Sequence, residues 1–121
     1  MITAAMLSLM RDSCMNALIL VENVEEAEFR RSRLTRAEVR KHYRTVAETA
    51  RNLEPEVRTA LAKIDWPGWA RVLAALDAGD GDEQSAVVWE AIRLLGPATL
   101  TWLRVYPKIH PELFEMKPFA G

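Results

Sequence analysis

LTRAEVRKHYRTVAETA, residues 34–50, carries the period of a helix. Val39, Tyr43, Val46, Ala50 and, just beyond, Leu53 recur at intervals of 4, 3, 4 and 3. That spacing gathers them on one face of an α-helix. Thr35 and Glu38 read as a capping box, with Leu34 placed to staple onto Val39. The predicted helix spans 35–53. Arg36, Arg40 and Arg44 stand four apart on a different face.

The same period extends outward in both directions. Leu7, Met10, Cys14, Ala17, Val21 and Val24 follow intervals of 3, 4, 3, 4 and 3. They predict a helix over 4–28, with Thr3 as its N-cap and Leu18 and Leu20 widening the stripe. Glu22, Glu25, Glu26 and Glu28 then lie near its C-terminal end, where the helix dipole disfavours acids. The basic run of 30–44 is the natural compensation. Downstream, Pro55 opens a short helix over 55–63, whose apolar side, with the residue that follows it, is Val57, Leu61 and Ile64. Asp65 caps a helix over 66–77 that carries Trp69, Val72, Leu73 and Leu76. DAGDGDE, 77–83, reads as a solvated loop. A last helix over 84–105 carries Val88, Trp89, Ile92, Leu95, Trp102 and Leu103, with a kink at Gly96-Pro97. Residues 107–121 hold three prolines and are expected to run extended over the surface. No segment alternates with period two. The expected fold is all-α, an antiparallel bundle of four or five helices over 1–106.

Composition narrows the functional classes. Half of the 121 residues are hydrophobic and 27% are charged, which excludes disorder. Area scaling gives roughly 6,600 Å² of folded surface against roughly 20,000 Å² unfolded, enough burial for one real core. A net charge of −1 excludes a histone-like coat for DNA. A single cysteine, Cys14, allows no internal disulfide and no cysteine-based zinc site. It suits a reducing compartment, and the expected location is the cytoplasm. No apolar run reaches the roughly 18 residues of a membrane span, and no signal peptide is evident. His42 and His110 are the only histidines, and neither lies in a metal-ligand spacing. No phosphate loop or nucleophile elbow is present, so no cofactor and no metal are expected.

Two features remain as candidates. Arg36, Arg40 and Arg44 form a cationic row able to hold a polyanion, either RNA or the acidic face of a partner. Arg36 and His42 cannot act as a pair within one chain. Six residues on one helix rotate by roughly 600°, about 240° net, so their side chains diverge. Four tryptophans in so small a chain point to a homodimer, with Trp69 and Trp102 as its contacts.

IDWPGW (64–69) followed by VVWEAI (87–92) resembles the HepT-like family of small all-helical proteins. In that family a helix opens with a Pro-Trp step. An Arg-x(4–6)-His motif follows, then a tyrosine two residues beyond the histidine, then an apolar pair before Trp-Glu. Trp66 and Trp89 fall on this pattern without a gap, and 34–50 is similar to the family's second helix. The resemblance covers roughly residues 5–105. It implies an antiparallel helical bundle, usually dimeric. Active members are toxin ribonucleases that pair with an MntA-type minimal nucleotidyltransferase, which modifies the motif tyrosine with AMP. Other relatives are viewed as substrate-binding subunits of nucleotidyltransferases.

The motif itself has gone. Leu73 stands where the family has arginine, Ala78 where it has histidine, and Asp80 where it has tyrosine. Phosphodiester cleavage needs a group that moves protons near neutral pH and a cation for the developing charge. Leu73 and Ala78 supply neither. Asp77, Asp80, Asp82 and Glu83 add negative charge that is expected to repel an RNA backbone. The leading expectation is a catalytically degenerate HepT-like protein of toxin–antitoxin type with no catalytic residue at the motif. It would bind a second copy, a nucleotidyltransferase-type partner or RNA. One alternative is a ribonuclease using His42 and Tyr43, with Arg36 or Arg40 from a second subunit. Another is a helical adapter unrelated to toxin systems.

Overall fold

The computed structural model describes residues 2–115 and contains only helices and turns among them. The elements in order are α1 (Ile2–Leu20), α2 (Glu26–Arg31), α3 (Arg33–Asn52), α4 (Pro55–Ala60), α5 (Trp66–Ala78), α6 (Asp82–Glu90), a π-turn (Ala91–Leu95), α7 (Gly96–Ile109) and α8 (Pro111–Phe114). The chain is all-α. Four long segments, α1, α3, α5 and the continuous arm of α6, the π-turn and α7, make a helical bundle: α1 and α5 pack on α3, α7 packs on α1, and α6 packs on α5.

The apolar stripes read from the sequence form the core. Leu7, Met10, Cys14 and Ala17 of α1 are buried, as are Val39, Tyr43, Val46 and Ala50 of α3. Trp69, Val72, Leu73 and Leu76 of α5 close over them, with Val88, Leu100 and Leu103 from the last helices. Leu18 and Leu20 are exposed and do not widen the stripe of α1.

α1 differs from the expected helix at both ends. It already includes Thr3, which is therefore not its N-cap. It stops at Leu20, where Asn23 takes a left-handed φ of 61° in the following turn. Asparagine tolerates that conformation better than most residues. The break reverses the dipole problem. Glu26 and Glu28 now lie in the first turn of α2, with Arg30 and Arg31 in its last turn. Both sets complement the helix dipole. Phe29 of α2 is fully buried against Trp89, with ring centroids 5.4 Å apart.

The cap of α3 lies one turn earlier than expected. Ser32 accepts a hydrogen bond from the Thr35 backbone N–H at 3.2 Å, so Ser32 is the N-cap. Leu34 is 75% exposed and staples nothing. Asp65 caps α5 as expected, accepting from the Gly68 N–H at 3.0 Å.

The expected kink at Gly96-Pro97 takes the form of a π-turn. The Gly96 N–H reaches back five residues to the carbonyl of Ala91. Proline has no N–H to continue an α-helical ladder, and a single wide turn accommodates it. α7 then runs through Pro107 to Ile109, and α8 follows, packing on α1 and α7. Residues 107–114 are therefore mostly helical, not extended, because Leu113 and Phe114 find apolar contacts on the bundle. The remainder of the expected extended tail, 116–121, lies outside the described residues.

Candidate functional site

α3 carries the arginine row along the side that faces the α5–α6 turn. The loop expected over 77–83 narrows to 79–81, with Asp77 in the last turn of α5, Asp80 in the turn and Asp82 opening α6; Gly79 has a φ of +134°, in the region that favours glycine. The two charge clusters singled out in the sequence meet here. Arg44 Nη1 is 2.7 Å from Asp77 Oδ1. Arg36 Nε is 3.4 Å from the Asp80 carboxylate. Arg40 Nη1 is 3.7 Å from Asp80 Oδ1, an ion-pair distance too long for a hydrogen bond. At the edge of the cluster, Arg30 pairs with Glu26 at 2.8 Å and approaches Asp82 at 4.0 Å.

Backbone carbonyls complete the set. Arg40 Nη2 donates to the Leu76 carbonyl at 3.1 Å, in the last turn of α5. Arg36 Nη1 donates to the Arg30 carbonyl in the last turn of α2. A cation at a helix C-terminus satisfies orphan carbonyls and complements the dipole. The side chains of Arg36 and Arg40 are only 15% and 16% exposed, while that of Arg44 is 38% exposed.

This geometry corrects two expectations. The row is not an open cationic stripe, because each of its three guanidinium groups already faces a carboxylate of the same chain. The anionic charge at the turn is matched in part: Asp77 and Asp80 face arginines, while Asp82 and Glu83 stay exposed. The acids that neutralise the row come from the α5–α6 turn, 33 to 44 residues away in sequence. The arrangement is a clasp joining α2, α3 and α5.

The three residues that the resemblance sets at the family's motif are placed as follows. Leu73 is buried in the core, 7% exposed. Ala78 is exposed at the end of α5. Asp80 serves Arg36 and Arg40. Neither a histidine nor a free arginine stands among the three, and the carboxylate of Asp80 is engaged by two arginines.

The alternative site draws on His42 and Tyr43, with an arginine from a second subunit. His42 is half-buried on α3. Tyr43 is 2% exposed and donates its hydroxyl to the Ala91 carbonyl. Burial pushes its phenol well above the ordinary value, and Cys14 nearby adds to the rise. A tyrosine so placed neither meets a substrate nor ionises near neutral pH. His110 stands at the C-cap of α7, its Nδ1 3.3 Å from Glu112 Oε1. Among the described residues no group of histidine, cysteine and acidic side chains could hold a metal ion.

Of the two tryptophans expected at a dimer contact, Trp69 is fully buried within the chain. Its Nε1 donates to Thr99 Oγ1 at 2.9 Å, and its ring meets Tyr43 edge-on at 5.3 Å. Packing into the core removes it from any surface. Trp102 is half-buried, with its ring 5.6 Å from that of Tyr106.

One concavity is not anticipated in the sequence reading. A groove of about 520 Å³ opens between α5 and the ridge formed by α6, the π-turn and α7. Gly68, Arg71, Ala86, Val87, Leu94 and Ala98 are among the residues that line it. Val87 and Leu94 are seven residues apart on one helical face, which was the available signal. Among the described residues no helix is long and apolar enough to cross a membrane. No protein-family model matches the chain, and no characterised protein and no solved structure matches it either.

Proposed function

We propose that the chain is a catalytically degenerate HepT-like protein that acts by binding. One observation carries the reading. The three positions that hold arginine, histidine and tyrosine in active HepT-like proteins are here a core leucine, a bare helix end and a carboxylate held by two arginines. Acid–base groups typically contribute 10²–10⁴-fold each to such a reaction. A site without them retains little of it. The partner classes are a second copy of the chain and a nucleotidyltransferase-type protein of the MntA kind, in a toxin–antitoxin setting. RNA is the weaker partner, since holding it on Arg36, Arg40 and Arg44 requires opening the clasp first. The lone reduced thiol of Cys14 favours the cytoplasm as the compartment.

The test has two parts. Purified protein is incubated with tRNA and messenger RNA and resolved on a gel, and no cleavage is expected. Cleavage abolished by His42→Ala would overturn the reading in favour of a ribonuclease built on other residues. Cleavage abolished by Asp77→Ala or Asp80→Ala would mean that the α5–α6 turn is itself an active site. In parallel, the tagged chain is recovered from its native host and bound chains are identified by mass. Recovery of a nucleotidyltransferase would support the toxin–antitoxin setting.

A further inference from the structure

Within the clasp, two guanidinium groups share one carboxylate. Arg36 Nε stands 3.4 Å from each oxygen of Asp80, and Arg40 Nη1 stands 3.7 Å from Oδ1. A guanidinium–carboxylate hydrogen bond normally closes to about 2.7–2.9 Å. Arg44 and Asp77, on the same row, do so at 2.7 Å. Asp80 therefore lies between its two cations without closing on either. The consequence falls on Arg40. Its Nη1 is shut off from solvent and, among the described residues, donates to no acceptor. A buried donor on a charged group is costly in that condition.

The charges are unequal as well. Among the described residues neither Arg36 nor Arg40 has a second carboxylate partner, so two cations meet one anion. The cations are held from behind, Arg36 by the carbonyl of Arg30 and Arg40 by that of Leu76. The anion is held less firmly. Asp80 is 42% exposed and stands between Gly79 and Gly81, and a Cβ on Gly79 would meet nothing within 4 Å. The side chain can swing out without disturbing the core.

A phosphate group supplies what this carboxylate does not. As a monoester it has about two negative charges at neutral pH and three strong acceptor oxygens. Those oxygens can accept from Arg36 and from Arg40 Nη1 together, in the forked geometry that guanidinium groups favour. We infer that Arg36 and Arg40 form a binding site for a doubly charged phosphate group, free or as a monoester, and that Asp80 is a tethered stand-in which the ligand displaces. The site goes beyond the proposed protein partners and does not depend on them.

The experiment is a titration of the full chain followed by the Nε–Hε signals of its arginines in ¹⁵N nuclear magnetic resonance, at about pH 8 to keep phosphate doubly charged and at constant ionic strength. The probes are inorganic phosphate, methyl phosphate and dimethyl phosphate. The proteins are the parent, Asp80→Asn and Asp80→Asn/Arg40→Gln, each checked by circular dichroism for intact helices. The parent is expected to bind weakly, because a tethered acid competes at high effective concentration. Asp80→Asn should bind inorganic or methyl phosphate about tenfold or more tightly than the parent, and the double variant should lose that gain. Whichever of these two probes binds more tightly names the source, and either supports the site. Asp80→Asn that binds no tighter than the parent would overturn the role of Asp80 as stand-in. A double variant that binds as well as Asp80→Asn would overturn the site. Dimethyl phosphate, singly charged like an RNA backbone, should bind least; if it bound as tightly as phosphate, the assignment to a doubly charged group would fall. The parent gives a check that needs no variant. Phosphate should move the signals of Arg36 and Arg40 before those of exposed Arg11 and Arg93, and a uniform drift of all four would overturn the inference. RNA cleavage and partner recovery bear on the proposed function and not on this site.

Discussion

The hydroxyl of Tyr43 lies 3.4 Å from the carbonyl oxygen of Ala91, the same oxygen that closes the π-turn by accepting the Gly96 N–H. One core side chain of α3 thus supports the one irregular turn of the last helical arm. The approach depends on Gly96, because a Cβ there would collide with the Tyr43 hydroxyl. Gly96→Ala is therefore expected to destabilise by about 1–3 kcal/mol, the usual range for forcing extra atoms into a packed core. Tyr43→Phe removes only the hydroxyl and is expected to cost about 1 kcal/mol. In the Tyr43→Phe background the Gly96→Ala penalty should shrink. Urea unfolding of the four proteins measures the coupling directly.

The clasp gives a second prediction. Asp80→Asn keeps the shape of the side chain but removes the charge that faces Arg36 and Arg40. Both guanidinium groups are mostly buried, while Asp80 is 42% exposed. Solvent screening tempers the loss, which is expected to be about 1–2 kcal/mol. Replacing Arg36, Arg40 and Arg44 together with glutamate should destabilise more than Asp80→Asn, because carboxylates would then face carboxylates and the carbonyls of Arg30 and Leu76 would lose their donors. An unchanged midpoint in urea for either protein would show that the clasp contributes nothing to the fold.

The core was legible in the sequence because it rests on local periodicity. Val39, Tyr43, Val46 and Ala50 had to share a face once 34–50 was helical, and the same holds for the buried stripe of α5. The placement of Leu73 in the core followed in the same way. What was not legible depended on docking. The pairing of Arg36 with Asp80 requires the end of α5 to arrive beside α3, across 44 residues of chain. The break after Leu20 was hidden for another reason. Val21 and Val24 keep the helical spacing through it, so the pattern of apolar residues does not register a turn made by Asn23. Trp69 lies in the core and not at a surface, a difference composition cannot register because it counts tryptophans without saying which of them finds an interior partner such as Thr99.

Asp65 and Gly68 supply a third prediction. Asp65 caps α5 through the Gly68 N–H, and Gly68 has no room for a Cβ beside that carboxylate. Asp65→Ala should cost about 1 kcal/mol, the typical value of a lost N-cap. Gly68→Ala should cost a similar amount or more, since the added methyl displaces the capping carboxylate. The two penalties overlap, because the second change partly destroys what the first removes. The double variant should therefore be less unstable than the sum, by about 0.5 kcal/mol or more, within the range seen for residues in contact. Strict additivity in thermal or urea unfolding would mean that the clash is relieved elsewhere.

Burial of two ionisable side chains in the core predicts how stability varies with pH. Burial pushes the Cys14 thiol up from 9.0 to about 12, and it raises the Tyr43 phenol as well. In the unfolded chain Cys14 ionises first, near its ordinary value, while the folded protein keeps its proton. Between those two pH values the folded state binds more protons than the unfolded state. Stability then falls as pH rises, with a slope of about 1.4 kcal/mol per pH unit from the thiol alone. The contribution is fully present below about pH 9 and is lost towards pH 12. Tyr43 begins to add to the slope above about pH 10, its ordinary value. Urea midpoints measured from pH 8 to pH 11 should therefore decline with increasing steepness. Cys14→Ala removes the first contribution, so its curve should stay flatter between pH 9 and pH 10 even though the variant is less stable at neutral pH. The same burial should protect the thiol from a disulfide reagent at pH 8 until urea opens the bundle. Rapid modification of Cys14 in the folded protein, or parallel pH curves for the two proteins, would refute this account of the core.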